Sequence, residues 1–96
     1  MYNEKNQDFY NVIPLRIREK LNQWGRQENY VGDFLEAVLS NDFQMAVCRA
    51  DIENSECLRE IAIYVYNELP SECHGSPEKF KAWQDAIIEK VKQRHG

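Results

Sequence analysis

Long apolar runs are missing from this 96-residue chain. None approaches the ~18–20 residues that cross a bilayer as a helix, so no membrane partner is expected. Glycine is scarce as well. Gly25, Gly32, Gly75 and Gly96 are scattered and cannot form the glycine-rich loop whose backbone N–H groups cradle phosphates. Classical nucleotide hydrolysis therefore has no support. Cysteine is limited to Cys48, Cys57 and Cys73. An odd number of thiols, with an amino-terminal stretch MYNEKNQDFY lacking the basic and apolar regions of a secretion signal, predicts free cysteines in a reducing, cytoplasmic setting. Excess positive charge is also absent. A net charge of −4 argues against DNA binding, because affinity for DNA comes largely from neutralising phosphates.

What the chain does contain is ordinary for one small globular domain. Hydrophobic residues make up 43% and charged residues 29%, enough apolar content for one core and too little chain for a second. The charges are segregated. Arg16, Arg18, Lys20 and Arg26 face only Glu19 in the stretch 14–26. Arg49 and Arg59 face Asp51, Glu53, Glu56, Glu60, Glu68, Glu72 and Glu78 in the middle. The stretch 79–96 is basic again. Such blocks are either solvated helix faces or surfaces that pair between subunits.

The apolar spacing predicts an all-α single domain of about five short helices over 9–96, preceded by a polar tail at 1–8. Helix one spans 14–24, with Pro14 in its first turn and Ile13, Ile17, Leu21 and Trp24 on one face, and Gly25 as its stop. Helix two covers 32–39 through Phe34, Leu35, Val38 and Leu39. Ser40, Asn41 and Asp42 interrupt it, because each side chain can bond nearby backbone. Helix three covers 43–49, with Phe43, Ala46, Val47 and Ala50 turned inward. The break at 51–54 offers Asn54 or Ser55 as cap for helix four over 55–69, whose stripe is Leu58, Ile61, Ala62, Val65 and Leu69. Ile63, Tyr64 and Tyr66 widen its apolar surface, which suggests an interface and homo-oligomerisation. Ser76-Pro77-Glu78 opens helix five, with Phe80, Trp83, Ile87 and Val91 facing the core.

Candidate sites divide into chemistry and binding. Cys73-His74 invites a metal or a nucleophile, yet a structural zinc needs four ligands with paired close spacings, and a thiol nucleophile needs a base and an orienting group. Neither pattern is present, so no metal, no cofactor and no catalytic residue are expected. A helix-turn-helix reading of 41–51 fails on FQMAVCRAD, whose single arginine and acidic end suit neither phosphates nor grooves. Two binding clusters remain. Arg16, Arg18, Trp24 and Arg26 combine guanidinium forks with a flat ring, a receptor for a phosphorylated, base-containing ligand; the plainer reading makes Trp24 core and the arginines solvated. The second cluster is Tyr66, Asn67, Pro70 and His74, with Trp83 near the next helix; the plainer reading makes Asn67 a local cap and Trp83 core. Arg49 joins the candidate binding residues.

The run VGDFLEAVLSNDFQMAVCRADIENSECLREIAIYVYNELPSECHGSPEKFKAW, residues 31–83, resembles a family of short proteins encoded by phages and prophages. The resemblance rests on Ser40-Asn41-Asp42, Arg49-Ala50-Asp51, Tyr66-Asn67, Pro70, Gly75-Ser76-Pro77 and Trp83, with Phe80 a departure where the pattern has a smaller aliphatic residue. It implies a small accessory phage protein that counters host defences by stoichiometric binding. Such a protein would sequester a small nucleotide signal or, alternatively, occlude a host defence or regulatory protein. A third alternative is a purely structural oligomer.

Overall fold

The computed structural model describes residues 9–95; the tail expected at 1–8 lies outside them. Among the described residues there are six α-helices, one 3-10 turn and no strand, an all-α domain. Helix α1 is Leu15–Gly25, α2 Asp33–Leu39, α3 Phe43–Arg49, α4 Ile52–Glu56, α5 Leu58–Glu68 and α6 Pro77–His95, with the 3-10 turn Ser71–Cys73 before α6.

The centre is built on α1. Ile13, Leu21 and Trp24 are fully buried, and Ile17 nearly so. The Trp24 ring stacks on Phe80 at 4.7 Å and 16°. Its indole N–H donates to the Cys73 carbonyl at 3.0 Å, and its own carbonyl accepts from the Trp83 indole at 2.6 Å. One residue thus joins α1 to the 3-10 turn and to α6. Ile61, Val65 and Leu69 pack from α5, Leu35 and Leu39 from α2, and Ile87 from α6.

Three local readings change. Gly25 does not end α1 by taking a left-handed conformation: Gln27 does so, at φ 59, and the Glu28 N–H reaches back to the Gln23 carbonyl as in a Schellman closure. What position 25 requires is room, since a Cβ there would lie 3.1 Å from Leu69 Cδ2. The helix expected over 55–69 begins a turn earlier and breaks. Asp51 Oδ1 accepts from the Asn54 N–H at 2.7 Å and caps α4, and Cys57, at φ −125 and ψ 21, separates it from α5. Finally, α3 does not turn Phe43 and Val47 inward. Only Ala46 is buried on it, while Phe43 is 76% exposed. So short a helix leaves open which edge of its apolar face turns inward, and here Ala46 is buried while Phe43 and Val47 stay in solvent.

The Ser40–Asp42 break is as expected. Asn41 takes φ 62, its N–H and that of Asp42 close on Val38 and Ala37, and Asp42 Oδ1 accepts from the Met45 N–H at 3.2 Å to cap α3. Ser76 caps α6 through the Lys79 N–H at 3.1 Å.

Trp24→Phe keeps the stack on Phe80 but strips the buried Cys73 carbonyl of its donor. Urea unfolding should show a loss of about 1–3 kcal/mol. Leu15→Ala, at an exposed position, should stay within about 0.5 kcal/mol of the parent.

Candidate functional site

The basic segment of α1 does not assemble a receptor. Trp24 is fully buried, stacked on one face and hydrogen bonded at its edge, so it has no free surface for a ligand ring. This corrects its place among the binding candidates. Its neighbours in sequence are engaged separately. Arg16 pairs with Glu53, Arg18 Nε donates to the Ile13 carbonyl at 3.2 Å, and Arg26 pairs with Glu28 at 3.0 Å. Arg49 lies elsewhere, donating to the Asp33 carbonyl at 3.1 Å, where it fixes the α2–α3 hairpin.

Of the second cluster, Tyr66 and His74 meet on one cavity, together with residues that no sequence pattern joined to them, whereas Asn67, Pro70 and Trp83 do not line it. On α5, Val65 points to the core, and Tyr66, about 100° further round the helix, stands 78% exposed. Leu69 and Pro70 end the helix. The chain then turns through Ser71–Cys73 and reaches Gly75, whose φ of 113 suits only glycine. The Gly75 N–H donates to the Leu39 carbonyl at 2.8 Å, drawing this loop onto the end of α2. A cavity of about 380 Å³ results, lined by Asn41, Ala62, Tyr66, Ser71, His74 and Lys79 among others. Lys79 Nζ donates to the Ser71 carbonyl at 3.3 Å and carries a positive charge on the wall. Asn67 does not line this cavity; its Nδ2 is buried and makes no hydrogen bond within the described protein.

His74 Nε2 is likewise buried without a partner. Burial, and then the Lys79 charge, push the imidazole below its ordinary pKa, and the neighbouring Leu69 backbone opposes them less strongly. The ring is therefore neutral at neutral pH. Burial also pushes the Cys73 thiol up to about 11, and Cys57 is raised by burial and by four surrounding carboxylates. Both are poor nucleophiles, because the thiolate is the reactive form. Among the described residues no three His, Cys, Asp or Glu side chains are grouped to hold a metal, and no helix is long and apolar enough to cross a membrane.

Compared with protein-family models, curated proteins and solved structures, the chain matches none.

Two outcomes are expected. A thiol reagent at neutral pH should modify Cys48, the exposed cysteine, and reach Cys57 and Cys73 only on unfolding. The depressed His74 pKa means that the unfolded chain binds more protons than the folded one below the ordinary value of 6.5. Stability is present in full above that value and is lost as pH falls through the window below it. The thermal midpoint should fall as pH is lowered below 6.5, and His74→Gln should flatten that fall.

Proposed function

We propose that the chain is a non-enzymatic, phage-borne accessory protein that counters a bacterial defence in the host cytoplasm by stoichiometric binding, and that it holds a small phosphorylated nucleotide signal in the Tyr66–His74–Lys79 cavity. One observation carries the reading: an exposed aromatic face and an ammonium group stand on the walls of the same cavity. Its volume of about 380 Å³ falls within the range of small-molecule sites. Lys79 supplies a point charge for a phosphate, Tyr66 a surface for a base, and Asn41 and Ser71 hydrogen-bonding groups for sugar or base edges. The raised thiol pKa of Cys73 supports binding over covalent chemistry. The viral setting draws on the resemblance carried by residues 31–83.

Occlusion of a host defence protein is a second reading. It is favoured by the large apolar side chains left in solvent, among them Phe43 at 76% and Ile52 at 82% exposure.

Calorimetry and thermal-shift measurements with cyclic dinucleotides, cyclic oligonucleotides and ADP-ribose derivatives separate the two. The signal reading expects one member of the panel to raise the melting temperature. Tyr66→Ala and Lys79→Ala should each weaken that ligand at least about tenfold, equivalent to 1.4 kcal/mol, while Arg16→Ala and Arg26→Ala leave it unchanged. No shift at saturating ligand, with one host protein captured in its place, would support occlusion.

A further inference from the structure

Beside the cavity lies a second hollow of about 230 Å³, and it differs in character. Its walls are Ala37, Val38, Ala46, Leu58 and Ala62, with Phe43 on its rim. Phe43 is 76% exposed and Val47, one turn on, 46%. Helix α3 therefore presents an apolar face to solvent while burying a single alanine. A seven-residue helix has little intrinsic stability, so covering that face would stabilise an element that the rest of the chain supports thinly.

We infer that this face binds a second copy of the same chain, related by a two-fold axis, with Phe43 of each copy seated in the hollow of the other. Two features favour a second copy over an unrelated partner. The first is shape: a protruding aromatic and an apolar hollow of matching chemistry occur on one surface. A two-fold contact needs this self-complementarity, because every patch meets the same patch reversed. The second is charge. The hollow is bordered by one acid, Asp42, and one base, Arg59. Arg59 is 72% exposed; its guanidinium lies over the Phe9 ring at 5.6 Å and approaches its sequence neighbour Glu60 at 3.9 Å, while Asp42 uses Oδ1 for its cap. Reversal about a two-fold axis sets Arg59 of one copy against Asp42 of the other, twice. An apolar partner of another kind would leave both charges to be desolvated alone, which is costly.

The hollow and the cavity share Val38, Asn41 and Ala62, so the second copy stands at the cavity's edge. The dimer itself does not depend on what the cavity binds.

Sedimentation of the ligand-free full chain over a range of concentrations tests it. The expected result is a species of twice the 11.4 kDa chain mass. Phe43→Asp and Arg59→Glu should each give monomers with unchanged helical circular dichroism. Arg59→Lys, which keeps the charge, should associate at least about tenfold more tightly than Arg59→Glu. Val12→Asp, at an exposed position outside the hollow, should remain dimeric. A wild-type monomer at all concentrations overturns the inference. So does a closed ring larger than two, or a dimer indifferent to both Phe43→Asp and Arg59→Glu. Should Phe43→Asp lose its helical signal, the Arg59 variants decide the matter. A monomer that captures a host protein through Phe43 also counts against it. Because these readings use no ligand, their failure is distinct from a failure of nucleotide capture.

Discussion

The Trp24 indole is the constraint on which the rest of the structure depends. An indole removed from water must place its N–H on an acceptor, and here the acceptor is the Cys73 carbonyl in the turn after α5. That bond, with the Phe80 stack and the Trp83 donation to the Trp24 carbonyl, ties three segments that are far apart in sequence. The hydrophobic contribution is large, since a buried aromatic removes an area of about 150–250 Å² from water. The polar contribution supplies direction. Apolar burial alone does not set how α6 crosses α1; a single N–H with a single acceptor does.

Much of this was legible in the sequence because it depends on spacing. The stripe Ile13, Ile17, Leu21 and Trp24 is buried as its period demands, and Phe80 and Ile87 follow suit on α6. The caps at Asp42 and Ser76 follow from side chains that compete for backbone N–H groups. Helix α3 was not legible. Over seven residues, FQMAVCR puts Phe43, Ala46 and Val47 on one broad apolar face, and nothing local says that only its Ala46 edge is buried. Trp24 beside several arginines was ambiguous for a related reason: one ring type serves both as core and as a ligand platform, and only its neighbours in space decide between them.

The site was half legible. Tyr66 and His74 were grouped by proximity in sequence, and the structure places both on one cavity. Ala62 lies one turn before Tyr66 on α5, while Asn41 and Lys79 come from other segments, brought close by the Gly75 N–H bond to Leu39. A signal for Tyr66 did exist, since it falls off the Ile61–Val65–Leu69 stripe and an aromatic there has no core to enter. Asn41 carried a signal of a different kind. A residue between two helices at φ 62 holds its place through backbone geometry, and its side chain is left over to line a wall. Asn67, grouped with Tyr66 in sequence, turns away from the cavity because successive helical residues point about 100° apart.

The cavity draws its lining from 38–41, 62–66 and 71–79, and no one of these stretches encloses any of it alone. It is a product of long-range closure, of the kind that contributes to a folding transition only after the intervening loops have been ordered. The extended chain therefore has no partial version of it. Any occupant distinguishes the finished fold from every earlier state, and its binding free energy is added to the stability of the domain as a whole.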